Sequence, residues 1–295
     1  MFHSRLGDTL KYQIICFCLM AYLISWGSKF LMVAPDAGLF NHLIPRGVLQ
    51  LFAQFGPTIA GIIMMLATGG KKAVSTLIRN LSGFNIRLKW YLFALLFELI
   101  LFFIIVVVYG SLGLVTIKSG AVNWWTSLEN FLLNTIYLTL LTGLGEEIGW
   151  RGFLLPRLQS SFPIILCSVI LALVNSLWHL RTADLAVLLT GDLRGFWSSF
   201  LPDMGLRILI SVPVIFVIVY LFNKTKGSLV IMILYHGTSN ASYEWVKEIT
   251  GIADPYFVLP IFAGLLWLTS VFFIPALLRQ EKNKELVTDC TGRLP

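Results

Sequence analysis

Glu146 and Glu147 stand side by side, and Arg151 follows Glu147 by four residues. They come directly after FLLNTIYLTLLTGLG, a run without a charged side chain. An ionisable group at the centre of a membrane helix costs roughly 2.5–3.5 kcal/mol, so such groups face a partner or a cavity. On a helix, Glu147 and Arg151 share a face with the acid N-terminal, the favourable order for an ion pair. Glu146 is turned from Glu147 by about 100°. Arg151 can therefore hold Glu147 and leave Glu146 free to act. The same charges would also suit a helix end emerging into water.

Histidine is scarce, with His3, His42, His179 and His236 making the full set. His3 lies at the terminus and His42 in an expected outer loop. His179 (in VNSLWHL) and His236 (in ILYHGTSN) lie in apolar stretches, and His236 and Asn240 share a helical face. Either histidine alone would read as a structural hydrogen-bonding residue. Together with the carboxylate pair they suit hydrolysis. A carboxylate takes a proton from water while a neutral imidazole orients it. A second imidazole and an amide donate to the developing oxyanion.

The elements that must position these groups are membrane helices. The 295 residues are 57% hydrophobic and 13% charged, and the mean hydropathy is +0.82. That composition excludes an ordinary soluble domain and predicts an all-α, polytopic helical membrane protein. At about 20 apolar residues per span, eight transmembrane helices are expected, near 12–33, 48–68, 90–116, 128–150, 164–185, 205–222, 228–243 and 256–278. The first is too long in its apolar stretch for a cleavable signal peptide. The whole chain, 1–295, reads as a single integral membrane domain ending in a polar cytoplasmic tail, 279–295. The net charge of +7 reflects topology rather than nucleic acid. With the N-terminus inside, fifteen lysines and arginines fall in inner segments and six in outer ones, which places both termini in the cytoplasm.

Other features have plainer readings. The basic segment 69–89 is either a solvated loop or an interfacial segment on the inner leaflet. Gly56 and Ala60 have the small-xxx-small spacing of close helix packing. Cys16, Cys18, Cys167 and Cys290 form no CxxC pair and read as inert thiols. Glu98, in YLFALLFELILFF, reads as a structural carboxyl. At 1.5 Å per residue His179 would lie about 22 Å along its span and His236 only about 12 Å. That mismatch predicts that the segment after Arg157 runs along the membrane and the fifth span starts later. Arg181 and Asp184 would then wall a polar cavity within the span.

EExxxR over Glu146–Arg151, a membrane His at His179, and HxxxN over His236–Asn240 together resemble the CAAX-protease and bacteriocin-processing family. The matching core spans about residues 140–242, with RGFLLPRLQ and SLWHL also similar to bacterial members. One position departs from the usual FxxxH motif, with Asn175 four before His179. The resemblance implies an intramembrane endopeptidase with Glu146 as general base assisted by His179. His236 and Asn240 would form the oxyanion site, and Glu147 with Arg151 a supporting ion pair. Glu and His are plausible zinc ligands, but the histidines are not in HExxH, and a metal-free reaction without cofactor is favoured. The implied partners are a membrane-associated protein or peptide substrate and the lipid bilayer of a bacterial cytoplasmic membrane. Two rivals remain at this stage. One is a catalytically silent scaffold or bacteriocin-immunity protein. The other is a transporter using Glu98, Glu146 and Glu147 as a proton relay.

Overall fold

The computed structural model describes residues 2–41, 44–114, 123–251 and 255–287. His42, Cys290 and the tail from 288 lie outside these. All regular structure among the described residues is helical. Helix α1 is Phe2–Val33, α2 Arg46–Ser82, α3 Leu88–Ser111 and α4 Trp124–Leu138. A π turn, Thr139–Gly143, leads into α5, Leu144–Glu147, and a second, Ile148–Leu154, leads into α6, Leu155–Ser161. Then come α7 Ile164–Trp178, α8 Thr182–Leu189, α9 Leu193–Lys224, α10 Leu229–Thr250 and α11 Pro255–Lys282.

The polytopic helical architecture stands, but the count of eight spans is not reached. Five helices are long and apolar enough to cross a membrane: residues 9–33 of α1, all of α2, α3 and α9, and 258–282 of α11. The pair α7 and α8, bent by 57° at its break, makes a sixth if taken as one span. The stretches that fall short are α4–α6 and α10. The first is divided by its π turns into helices too short to cross a membrane, and the second, long enough at 22 residues, carries polar side chains that include the His–Asn pair. Two further expectations change. Helix α7 starts at Ile164 rather than later, its first amide donating to Glu281 at 2.9 Å. It also stops at Trp178, so 164–185 is not one straight span. The basic segment 69–89 is mostly helix, because α2 breaks at Gly70 (φ 54°, ψ −144°) and continues to Ser82.

Helix α1 lies along α2, α10 packs on α3 and α4, and α9 packs on α7 and α11. The segment bearing the two glutamates is threaded between α2 and α10 by backbone contact. A Cβ at Gly61 of α2 would be 2.9 Å from Gly149 Cα, and one at Gly149 would collide with the Pro57 carbonyl. On the other side, a Cβ at Gly143 would be 2.6 Å from the Ile233 carbonyl oxygen of α10. The expected packing role of Gly56 and Ala60 is met: both are buried, and Gly56 abuts Ser25 of α1. Cys16, Cys18 and Cys167 are free.

Ion pairs mark both ends of α9. At one end the Asn223 side chain accepts from the Val287 amide at 3.0 Å, and Lys224 pairs with Glu285 at 2.6 Å. The first part of the expected tail is thus docked on α9. At the other end, Arg181 binds Asp184 at 2.7 Å and Asp203 at 3.3 Å.

Because Gly149 meets backbone rather than a flexible side chain, Gly149→Ala should destabilise the fold by about 1–3 kcal/mol, the usual cost of overpacking. Gly264→Ala, with nothing within 4 Å of its Cβ position, is the control. Thermal unfolding in detergent should show a lowered midpoint for the first variant only.

Candidate active site

Glu146 and Glu147 sit on the single turn of α5 between the two π turns. Each π turn inserts a residue into the helical register, and such insertions cluster at functional sites. Both carboxylates are buried, 2% and 1% exposed, so each must find partners or carry a large desolvation cost.

Glu147 is held from two sides. Arg151 Nη1 donates to its Oε1 at 2.8 Å, and His236 Nδ1 lies 2.7 Å from the same oxygen. Glu146 is held less tightly. Gln54 of α2 donates to its Oε1 at 3.1 Å. His236 Nε2 stands 3.7 Å from Oε1 and His179 Nε2 4.0 Å from Oε2. Oε2 is buried without a hydrogen-bond partner. The structure thus gathers Glu146, Glu147, Arg151, His179 and His236 at one point, and the expected depth mismatch between the two histidines does not separate them. Asn240 stands apart from the carboxylates, donating to Thr142 Oγ1 in the first π turn at 3.0 Å. Asn175 brings its amide nitrogen into the interior without a partner.

Helix α1 positions His179, a role not read from the sequence. Tyr22 donates to the Val174 carbonyl at 2.7 Å, Trp26 to Trp178 at 3.0 Å and Lys29 to Leu180 at 2.8 Å. Ser25 accepts from the Trp178 indole at 2.7 Å. These four residues lie on one face of α1; three donate to carbonyls in and just after the last turn of α7, and the fourth accepts from its terminal indole. Beyond the bend, Arg181, Asp184 and Ser199 tie α8 to α9. Arg181 and Asp184 therefore brace the bend that follows His179 and do not line a straight span.

Gln54 was also missed. Its one sequence signal is an amide within the apolar stretch LQLFAQFGP. Glu98, read as structural, accepts from the hydroxyls of Tyr235 and Ser239. These residues immediately precede His236 and Asn240, so Glu98 fixes the rotation of α10 that presents the His–Asn face.

Two cavities lie beside the candidate residues, one at His179 and one at Asn240. One of about 350 Å³ is bounded by Lys29, Gln54, Trp178, His179 and Thr182. The other, about 260 Å³, meets Asn240, Ser239, Arg207 and the rings of Phe102 and Phe262. Among the described residues, no three of His, Cys, Asp or Glu are arranged around a common point as metal ligands.

Residues 128–242 match the family model described as type II CAAX prenyl endopeptidase Rce1-like. Over 112 residues the chain is 26% identical to a CAAX prenyl protease 2 of Methanococcus maripaludis, covering 37% of this chain and 39% of that protein. The chain thus matches about two-fifths of the length of that relative. The resemblance read from the three motifs is shown over this segment, which includes the six candidate residues and the 140–242 core.

Glu98 lies outside the matched segment, and its role rests on geometry. Glu98→Leu leaves the buried Tyr235 hydroxyl and the half-buried Ser239 hydroxyl without an acceptor, and the buried one should cost about 1–3 kcal/mol. Glu98→Gln keeps one acceptor oxygen and should lose less. Thermal unfolding of both variants, with Leu below Gln below wild type, checks this.

Proposed function

We propose that this chain is an intramembrane endopeptidase in which Glu146 activates water. The observation that carries the reading is the convergence of Glu146, His179 and His236 from three separated elements, with a buried Glu146 oxygen left unpartnered. The gap between Glu146 Oε2 and His179 Nε2, 4.0 Å, is too long for a direct hydrogen bond and short enough for one water to bond both. Glu146 takes a proton from that water as its oxygen attacks the peptide carbonyl. The tetrahedral oxyanion then collapses, the C–N bond breaks, and Glu146 passes its proton to the leaving amine.

The second motif acts on the oxyanion. Paired with Arg151, Glu147 is an acceptor, so His236 Nδ1 donates to it. Nε2 then carries a proton only when the ring is charged, and His236 serves as an imidazolium donor. Asn240 has a second amide hydrogen beyond the one given to Thr142. Donors of this kind are each worth about 10²–10³ in rate. No step of this reaction calls on a metal or an organic cofactor.

The substrate is a membrane-associated protein or peptide. The name of the archaeal relative carries prenyl protease activity, so a prenylated C-terminal peptide is one class to test and an unmodified precursor the other. The docked end, with Lys224, Lys226 and Arg279, suits the cytoplasmic side of a bacterial membrane. The proton-relay rival loses ground because Glu98 is engaged by two hydroxyls. The silent-scaffold rival makes the opposite forecast in the assay.

Wild-type protein in proteoliposomes should cleave peptides from a mixed prenylated and unmodified library, read as new termini by mass spectrometry. Glu146→Ala should lose at least about 10²-fold in rate while keeping its fold, and chelator should leave the wild type active. Equal cleavage by both proteins, or none by a folded wild type against either class, overturns the peptidase reading. Loss with chelator overturns its metal-free form.

A further inference from the structure

At the basic end of the bundle, away from the glutamate centre, a cavity of about 480 Å³ lies between the start of α3 and the α9–α10 turn. Arg87, Lys89, Lys224 and Lys226 line it, with no acidic side chain among its lining residues. Lys224 is neutralised by Glu285 at 2.6 Å. Arg87, Lys89 and Lys226 are exposed, and none makes an ion pair with a described residue. Three cations converging on one cavity repel each other unless an anion joins them.

The floor of the cavity is aromatic. Trp90 and Tyr220 meet edge to face at 6.2 Å, and Lys89 Nζ lies 4.8 Å from the Trp90 ring centroid. Tryptophan and tyrosine favour the headgroup level of a membrane. From the rim an exposed apolar stripe, Leu88, Leu92, Leu96 and Ile100, runs along α3 at four-residue spacing. Its helix is among the five apolar enough to span. A free phosphate would use the cations alone; a phospholipid would use the cations, the rings and the stripe.

We propose that this cavity binds the phosphate headgroup of an anionic phospholipid, with its acyl chains along the α3 stripe. Basic pockets between membrane helices take such headgroups, and the side chains here supply both halves of the ligand. The proposal stands independently of the peptidase reading.

The test uses delipidated full-length protein in detergent, with phosphatidylglycerol, phosphatidylcholine or inorganic phosphate added. Retained lipid is counted by native mass spectrometry, and stability is read by thermal unfolding. Wild type should hold one phosphatidylglycerol at least ten times more tightly than phosphatidylcholine, with a raised unfolding midpoint. Arg87→Gln with Lys226→Gln should lose that preference while unfolding normally without lipid. Lys71→Gln with Arg79→Gln removes the same charge from the α2 extension and should keep it. Equal loss in both double variants would make the effect diffuse surface charge and overturn the proposal. So would phosphatidylglycerol bound no better than phosphatidylcholine, or protection by inorganic phosphate alone.

Discussion

Glu147 Oε1 is the point on which the site turns. One oxygen receives a guanidinium from its own helix, four residues on, and an imidazole from α10, which follows 89 residues later in sequence. Removing one partner of a buried ion pair costs about 3–5 kcal/mol because the remaining charge is stranded. That cost disfavours any packing in which α10 slides or rotates away from α5. The glycine contacts at Gly143 and Gly149 then let backbone approach backbone closely enough for the short side chains to meet. Larger residues at those points would hold α2, α5 and α10 apart, and the His236–Glu147 contact would be lost first.

The same geometry makes neighbouring glutamates unlike. A single residue step on a helix rotates the side chain by about 100°, so Glu146 cannot share the Arg151 face. It meets only the Gln54 amide within hydrogen-bonding distance, where Glu147 Oε1 meets both Arg151 and His236; the second oxygen of each carboxylate is without a partner. The asymmetry comes from helix geometry before any tertiary contact is added. Tertiary structure contributes what surrounds the Glu146 carboxylate, namely the His236 imidazole from α10 near Oε1 and the His179 imidazole from the end of α7 near Oε2.

This division shows which features were legible in the sequence. The Glu147–Arg151 pair and the His236–Asn240 face depend on spacings of four, which a helix converts directly into proximity. The apolar spans were legible where nothing interrupts them. The fold departs from sequence expectation where contacts are remote. The hold of α1 on the end of α7 joins residues about 150 positions apart through side chain to carbonyl bonds, and no local pattern encodes it. The stop at Trp178 has no proline or glycine to announce it. The π turns are likewise silent, since nothing in TLLTG or IGWRGFL marks an inserted residue. The count of spans is not confirmed for a related reason. Hydropathy treats every polar residue as a loss, yet in α10 those residues face inward to Glu147, Glu98 and Thr142.

Glu98 extends this logic across the membrane interior. It is 3% exposed on the most apolar of the spanning helices, where an unpaired carboxyl would be costly. Its two bonds go to Tyr235 and Ser239, so α3 and α10 are locked in rotation as well as in contact. Apolar packing alone is tolerant of small rotations, because one methyl contact substitutes for another. Hydroxyl to carboxyl bonds are not, and a turn of even one residue would point both hydroxyls elsewhere. The chain therefore places a polar lock one residue before each member of its His–Asn pair, and that lock sets the angle at which the pair meets the glutamates.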